Sequence, residues 1–143
     1  NGGRAWREVP LPEEAAPVLA LALSSHYAQD GIILVGTEEA GLWISADRGK
    51  NWTHLSGLPA GAVNAVLLDP EYPAPPRLLV LMDSGLYLSE DNGESWLELP
   101  LELAEDVAPM CVAAPEGLTA GALLLVGLSD GAVTTVGCRS CSE

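Results

Sequence analysis

Basic residues are scarce in this sequence, which has six lysines and arginines against 20 aspartates and glutamates, a formal charge of −14 over 143 residues. Nucleic-acid affinity comes mainly from Lys and Arg contacts to phosphates, so this charge argues against a nucleic-acid partner. Long hydrophobic runs are also lacking, because the longest, Ala15–Leu23 and Ala120–Leu128, fall far short of the ~20 residues of a membrane-spanning helix. The 48% hydrophobic content excludes a disordered tail and suffices for the core of a domain.

Helical patterning is nearly absent as well. Fifteen glycines and eleven prolines are spread along the chain, and between them lie short runs rich in Val, Leu and Ile, such as Ile32–Val35. Runs of this length bounded by Gly, Pro, Asp and Asn predict strands, and many at regular spacing predict an all-β domain. The one helical candidate is Pro100–Val107, whose Leu101, Ala104 and Val107 recur every third residue over barely two turns.

A repeated segment organises the chain. Gly41–Trp52 (GLWISADRGKNW) and Gly85–Trp96 (GLYLSEDNGESW) match in Gly, Leu, an aromatic, an aliphatic, Ser, Asp, Gly and Trp, at an offset of 44 residues. A third copy is divided between the two ends of the chain, where Asn1–Trp6 matches the second half of the repeat and Gly131–Thr135 matches the first.

Each repeat unit contains four predicted strands in about 45 residues, which is the period of a propeller blade. We therefore expect an all-β fold of four-stranded antiparallel β-propeller blades, with three blades' worth in one chain. The units are a lone strand at 5–9, a blade at 15–57, a blade at 61–100 and a partial blade at 107–137. The predicted strands are Ala5–Val9; Val18–Leu23, Ile32–Val35, Leu42–Ser45 and Trp52–Leu55; Val63–Leu68, Leu78–Leu81, Leu86–Ser89 and Trp96–Leu99; and Met110–Ala113, Leu123–Val126 and Ala132–Val136.

The repeat resembles the Asp-box, or BNR, repeat Ser-x-Asp-x-Gly-x-Thr-Trp of sialidases, sortilin-type receptors, photosystem assembly factors and some endoglucanases. Asn51 and Ser95 depart from this pattern at the Thr position, and Asn1 departs from it at the Asp position. In these families the boxes lie on the blade periphery, so the resemblance implies a β-propeller and argues against the box as an active site. The matching residues are Ser45, Asp47, Gly49 and Trp52; Ser89, Asp91, Gly93 and Trp96; and Asn1, Gly3 and Trp6.

The motif also has a physical logic of its own. A short Asp side chain accepts backbone N–H groups and organises its own turn. Gly49 and Gly93 supply a positive φ that a side chain would disfavour. Trp52 and Trp96 bury large faces against the hairpin or the neighbouring blade. We therefore interpret the Asp residues as structural rather than catalytic.

Three blades are too few to close a propeller ring, which takes about four to eight. The unpaired third strand Ala132–Val136 is expected to recruit another chain, and its natural partner is the strand Ala5–Val9 of a second copy. Two copies that exchange these strands would form a six-bladed ring. A head-to-tail contact could also close into a larger ring or, if it does not close, continue as a filament. The alternative is that the chain is a fragment of a longer propeller.

The cysteines leave the redox compartment open. Cys111 lies in an apolar predicted strand and is expected to be buried. Cys138 and Cys141 form a CxxC pair, but a redox motif normally opens a helix and a zinc site needs about four ligands, and the sequence favours neither. A disulfide within or between chains and plain thiols both remain open, and a disulfide would indicate an oxidising compartment.

The other polar candidates favour no cofactor or metal. His26 and His54 have no serine or cysteine in a nucleophile-like context and are interpreted as surface histidines. Asn51–Thr53 fits the glycosylation acceptor pattern but overlaps the repeat itself. Paired acids such as Glu38 and Glu39 are predicted in loops as a solvated acidic rim, and no loop has the ordered Asp-x-Asp-x-Asp pattern of a calcium site.

The function that these observations favour is a non-enzymatic binding or assembly module. In this hypothesis a half-propeller oligomerises head to tail, as a dimeric ring or a filament, and presents its loop faces to a protein or glycan ligand. No signal peptide is visible after Asn1, and an extracellular or periplasmic location is favoured with the compartment left open.

The alternative function is a fragment of a sialidase-like or endoglucanase-like glycoside hydrolase. Sialidase chemistry needs three clustered arginines, a tyrosine nucleophile and its Glu partner. The chain has only five arginines and no Arg-Ile-Pro signature, and two of these, Arg4 and Arg48, lie within or beside the repeat turns. A glycosidase that uses two carboxylates stays open, because acidic residues abound.

Overall fold

Short apolar runs punctuated by Gly, Pro and Asp fold here into three antiparallel β-sheets. The structure is a computed structural model that describes residues 2–3 and 5–138. In this part of the chain two sheets have four strands and one has three, and each sheet keeps its strands in sequence order. We call these sheets blade 1, blade 2 and blade 3. The all-β prediction is confirmed.

The strands have the following bounds. Blade 1 contains β1 (Val18–Leu23), β2 (Ile33–Thr37), β3 (Leu42–Ser45) and β4 (Thr53–Leu55). Blade 2 contains β5 (Val63–Leu68), β6 (Leu78–Met82), β7 (Gly85–Ser89) and β8 (Leu97–Leu99). Blade 3 contains β9 (Pro109–Ala113), β10 (Leu123–Leu128) and β11 (Val133–Gly137).

The first strands of the three blades lie side by side. Strand β1 contacts β5, and β5 contacts β9, whereas β4 and β8 form the far edges of their sheets. This arrangement places β1, β5 and β9 on the inner side of the stack of blades. It also explains why β6 is buried along its whole length, because blade 2 has a neighbouring blade on each face.

Side chains of a strand alternate between the two faces of its sheet. We call the face toward the next blade along the chain the front face, and the opposite one the rear face. In blade 2, Val80 and Tyr87 pack rearward with Leu34 and Leu42 of blade 1. Leu79 of blade 2 packs forward into the core that contains residues of blade 3. The chain therefore has two cores, one between each pair of consecutive blades.

Two local predictions have different outcomes. Ala5–Val9 belongs to no sheet of the single described chain, and its pairing as a strand with a second copy stays a prediction. Pro100–Val107 is not a helix, since it contains a single turn in which Val107 N–H donates to Ala104 O at 3.0 Å, too little to nucleate one. The helical segments present are a 3-10 turn at Glu13–Ala15 and a four-residue helix α1 at Tyr27–Asp30.

The last repeat is also out of register by one residue. Thr37 N–H donates to Gly41 O at 3.0 Å just before β3, and Leu128 N–H donates to Ala132 O at 2.9 Å just before β11. Ala132, rather than Gly131, therefore occupies the position of Gly41. A shift of one residue moves every side chain to the other face of the sheet, so Val133 is the counterpart of Leu42, which points forward.

Candidate functional site

The repeat turn of blade 1 is held by a compact set of hydrogen bonds. Ser45 Oγ donates to Asp47 Oδ1 at 2.8 Å and accepts from Gly49 N–H at 2.8 Å. The same Asp47 Oδ1 accepts from Asn51 N–H at 2.8 Å, and Asp47 Oδ2 accepts from Asn51 Nδ2 at 2.7 Å. Both carboxylate oxygens are thus engaged by residues of the turn.

The turn of blade 2 repeats this pattern. Ser89 Oγ donates to Asp91 Oδ1 at 2.8 Å and accepts from Gly93 N–H at 2.8 Å. Ser95 N–H donates to Asp91 Oδ1 at 2.8 Å, and the Ser95 hydroxyl donates to Asp91 Oδ2. Asn51 and Ser95, the two departures from the Thr of the Asp-box pattern, therefore make the same pair of bonds to the aspartate.

These bonds change the acidity of both aspartates. Hydrogen bonds from the Asn51 side chain and backbone and from Ser45 lower the pKa of Asp47 to about 2. Desolvation raises the pKa of Asp91, but the bonds from Ser95 and Ser89 outweigh it, so the pKa lies below the usual value. Each carboxylate is stabilised in its charged form, whereas a general acid would need a raised pKa.

Positive backbone φ occurs at the glycines of both turns, as expected, and also at the residues before them. Gly49 has φ 87° and Gly93 has φ 89°, and Arg48 and Asn92 have φ 64° and 61°. Arg48 is held by a bond from its guanidinium to Ala28 O at 2.6 Å. Asn is a residue type that tolerates this conformation, whereas nothing in the repeat signals Arg48, because its partner lies in a distant loop.

The three tryptophans of the repeat differ in their surroundings. Trp52 is half-buried, and its Nε1–H donates to Pro10 O at 2.9 Å. The Nε1 of Trp96 is buried and has no hydrogen-bond partner among the described residues. Trp6 is 91% exposed, although a β-carbon on Gly3 would be only 3.8 Å from its ring. Trp6 has no blade of its own in the described chain.

The cysteine and N-terminal predictions have mixed outcomes. Cys111 is exposed, contrary to expectation, because it lies on the front face of blade 3. Cys138 is buried with its Sγ 3.3 Å from Leu118 O. Asn1 and Cys141 lie outside the described residues, so neither the first residue of the third repeat copy nor a Cys138–Cys141 disulfide is described.

The histidines make local contacts. His54 packs edge-on against Trp43 with ring centroids 5.1 Å apart. Ser25 Oγ lies 3.1 Å from His26 Nδ1, and both groups also bind backbone carbonyls, Ser25 Oγ that of Pro70 at 3.0 Å and His26 Nδ1 that of Tyr72 at 3.0 Å. These bonds tie the α1 loop to the turn after β5. Over residues 2–3 and 5–138, no group of three His, Cys, Asp or Glu is arranged to hold a metal ion.

A cleft of about 800 Å3 opens between the β2–β3 loop and the connection from β4 to β5. The Trp43 ring lines it, held by a bond from its Nε1–H to Ala40 O at 3.0 Å. His54, Glu14 and Glu39 also line the cleft. An aromatic ring beside carboxylates and loop backbone can bind a polar ligand that has an apolar face.

Apolar side chains are exposed on the outer faces of the two terminal blades. On the rear face of blade 1, Leu21 is 65% exposed and Leu23 is 51% exposed. On the front face of blade 3, Leu125 is 40% exposed and Val133 is 68% exposed. Sequence patterning could not single out these side chains, because they have the same alternation as the buried ones.

The comparisons with known proteins identify a fold. No family model and no curated protein matches the chain. Among solved structures, the GH74 xyloglucanase from Xanthomonas campestris is similar over 80% of this chain and 21% of its own, with 24% identity and a TM-score of 0.55. An ancestral GH74 enzyme is similar over 88% of this chain and 19% of its own, with 18% identity and a TM-score of 0.56.

A third similar structure is that of the Mitotic Checkpoint Complex, matched over 86% of this chain and 36% of that one, with 14% identity and a TM-score of 0.57. The chain spans about a fifth of the length of the two GH74 enzymes. At these identities the likeness concerns the fold, and the predicted all-β, propeller-type fold class is confirmed. The helices described in this chain are all too short to cross a bilayer.

Proposed function

We propose that this chain is a non-enzymatic assembly and binding module. Copies join head to tail, with the front face of blade 3 on the rear face of blade 1 of the next copy. The assembled blades present their loops to a protein or glycan ligand. The observation that carries the proposal is the pair of exposed apolar faces at opposite ends of the stack of blades.

The two exposed faces are a front face and a rear face, the same pair that packs together between consecutive blades of the chain. Within the chain, the front face of blade 1 packs on the rear face of blade 2, and the front face of blade 2 packs on the rear face of blade 3. Leu21 occupies on blade 1 the register position of Val66 on blade 2, since they pair with Val35 and Val80 respectively. Val66 is 6% exposed and Leu21 is 65% exposed. The missing neighbour of Leu21 is therefore the front face of a blade.

The number of blades favours a ring of two copies. Propellers close with about four to eight blades, and two copies of a three-blade chain provide six. The contact is head-to-tail, so the alternative to closure is continued growth into a filament. Each copy carries a formal charge of −14, and the mutual repulsion of two such chains makes association stronger as salt screens it.

The ligand surface that we propose is the cleft beside Trp43. Its ring, together with His54 and Glu39, offers one flat apolar surface and several polar groups, the combination that binds sugar rings and peptide side chains. Trp43→Ala is expected to weaken ligand binding. Because Trp43 pairs with Val35, which pairs with Leu21, the ring also lies on the rear face of blade 1, and its loss is expected to weaken assembly as well.

The experiment that tests the assembly is light scattering of the 143-residue chain in solution at moderate salt. The expected mass is that of two chains, or a higher multiple for a filament. Leu21→Asp places a charge on the rear face of blade 1 and is expected to give single chains. Thr53→Asp adds the same charge on the exposed outer strand β4 and is expected to leave the mass unchanged. A parent mass of one chain overturns the proposal.

A second candidate function is part of a glycoside hydrolase, which the two GH74 neighbours favour. Such chemistry uses two carboxylates roughly 5 to 9.5 Å apart, and Glu14 and Glu39 line the cleft. This candidate expects reducing ends to be released from xyloglucan by the chain and expects Glu14→Gln and Glu39→Gln to abolish the release. An inert parent chain leaves the assembly proposal as the better account.

A further inference from the structure

Residues 5–9 lie against blade 1 where the outer strand of a preceding blade would lie. A β-carbon on Gly93 would be 2.7 Å from Leu55 Cδ1, because β4 of blade 1 lies against the repeat turn of blade 2. A β-carbon on Gly49 would likewise be 2.2 Å from Val9 Cγ1. Val9 therefore contacts the repeat turn of blade 1 as Leu55 contacts the repeat turn of blade 2. Leu55 belongs to the fourth strand of the preceding blade, so the segment of Val9 has the corresponding position.

Blade 3 has the corresponding vacancy. In blades 1 and 2 the third strand has a fourth strand beside it, β4 or β8, whereas β11 is the edge of its sheet in the described chain. The residues 5–10 are exposed and belong to no sheet. An unpaired strand edge and an unpaired extended segment are the two parts of a strand-addition contact.

We infer that residues 5–9 of a second copy form the fourth strand of blade 3, antiparallel to β11. The inference rests on the proposed head-to-tail function and gives its contact a register. Leu42 pairs with Leu55, and Trp43 pairs with His54. Because Val133 and Thr134 are the counterparts of Leu42 and Trp43, Val9 of the second copy lies opposite Val133 and Glu8 opposite Thr134.

A cavity beside β11 identifies the place of Trp6 in this contact. The Nε1–H of Trp52 donates to the carbonyl of Pro10, the residue after Val9. The corresponding proline in blade 3 is Pro100, which follows Leu99 of β8. A cavity of about 290 Å3 lies between Pro100, Leu101 and the β11 residues Thr134 to Val136. Trp6 of the second copy fills it and donates its Nε1–H to Pro100 O.

This contact explains the 91% exposure of Trp6, which no neighbour among residues 2–3 and 5–138 covers. It also links the edge of β11 with the front face of blade 3, because the added strand places Val9 on that face next to Val133. That completed face then packs on the blade to which the donated segment belongs. A buried aromatic anchor of this kind is a typical hot spot of an interface.

The test is a disulfide between chains made at one register position. Chains carrying Glu8→Cys are mixed with chains carrying Thr134→Cys and oxidised, since opposite residues on paired strands have Cα atoms within disulfide reach. The expected result is a linked pair of chains, with the linkage between positions 8 and 134 located by peptide mass spectrometry. The register control is Arg7→Cys mixed with Thr134→Cys, and the parent chain measures linkage through its native cysteines.

A second variant tests whether Trp6 occupies the cavity beside β11. Trp6→Ala is expected to weaken association of the chains at least about tenfold, without changing the circular dichroism of the single chain. An assembled parent chain that gives no 8–134 linkage overturns strand donation and leaves face-to-face assembly standing. Equal linkage in the register control also overturns the assigned pairing. A parent mass of one chain overturns the proposed function itself.

Discussion

Val9 lies against Gly49, where a β-carbon would be 2.2 Å from its Cγ1 atom. Leu55 makes the equivalent contact with Gly93 one blade later. In each case an apolar side chain that precedes a blade covers the glycine of that blade's repeat turn. The N-terminal segment is thus in phase with the blades, although it belongs to no sheet of the described chain.

The close approach of blades 1 and 2 at Gly36 gives a first prediction. A β-carbon at Gly36 would be 2.5 Å from Val63 Cγ1 and 2.9 Å from Val63 O, and its φ is not positive. Gly36→Ala is therefore expected to cost about 1–3 kcal/mol through overpacking alone. Gly137→Ala is the control, because a β-carbon there meets nothing within 4 Å. Urea unfolding of both variants measures the difference, and equal midpoints would contradict the packing between the blades.

Acid sensitivity of the blade 1 turn is the second prediction. The pKa of Asp47 is lowered to about 2, so its carboxylate contributes stability above about pH 4 that is lost as the pH falls toward about 2. Asp47→Asn is expected to be less stable than the parent at about pH 5 and to approach it at about pH 2. The urea midpoint at several pH values measures this gap. Asp106→Asn, at an exposed acid of the turn before β9, is the control for loss of an acidic side chain at about pH 5.

The sequence predicted best what is local. The bonds around Asp47 and Asp91 span four residues or fewer, so one repeat of the residues is enough to indicate one repeat of the turn. The strands were also predictable, because Gly, Pro and Asp mark their ends. Contacts between segments that are distant in the sequence were not predictable. The positive φ of Arg48 depends on the loop that contains Ala28, and no pattern in the repeat specifies that loop.

The assignments at the two chain ends depend on contacts that the sequence does not specify. Ala5–Val9 has the alternation of a strand, but a strand exists only with a ladder partner. The Gly131 match was displaced because the β10–β11 loop is one residue longer than the β6–β7 turn, so that Ala132 takes the position of Gly85. Cys111 has the apolar neighbours of a buried residue, but it lies on the front face of blade 3, which no other blade of the described residues covers.

The buried phenol of Tyr72 gives the third prediction. Its hydroxyl donates to Asn92 Oδ1 at the positive-φ residue of the blade 2 turn. Burial and the charge of Asp30 raise its pKa to about 12. The neutral phenol therefore contributes stability that is lost as the pH rises from about 10 through about 12. Tyr72→Phe is expected to cost about 1 kcal/mol at neutral pH.

The measurement is the urea midpoint of parent and Tyr72→Phe between about pH 8 and pH 11. The parent is expected to lose stability more steeply than the variant at the alkaline end. Tyr27→Phe is the matched control, since Tyr27 is only half-buried and its ring lies beneath the Arg48 guanidinium. A parallel alkaline loss in parent and Tyr72→Phe would show that this phenol is free to ionise in the folded chain.

Equivalent leucines on successive blades give the last prediction. Leu79 on blade 2 pairs with Leu67 in its sheet, and Leu125 on blade 3 pairs with Ala113 at the same register position. Leu79 is fully buried, whereas Leu125 is 40% exposed. Leu79→Ala is therefore expected to cost about 2–5 kcal/mol at any protein concentration, and Leu125→Ala less than about half as much in dilute single chains.

The difference between Leu79→Ala and Leu125→Ala changes when another blade covers the front face of blade 3. In the assembled state Leu125 has the surroundings of Leu79, so Leu125→Ala is expected to weaken association by at least about tenfold and to lose stability relative to the parent as protein concentration rises. Leu79→Ala keeps a constant deficit over the same range. Thermal unfolding at several concentrations measures both. A concentration-independent deficit for Leu125→Ala would mean that no blade packs on this face, because mass action alone couples a covered leucine to the concentration of its cover.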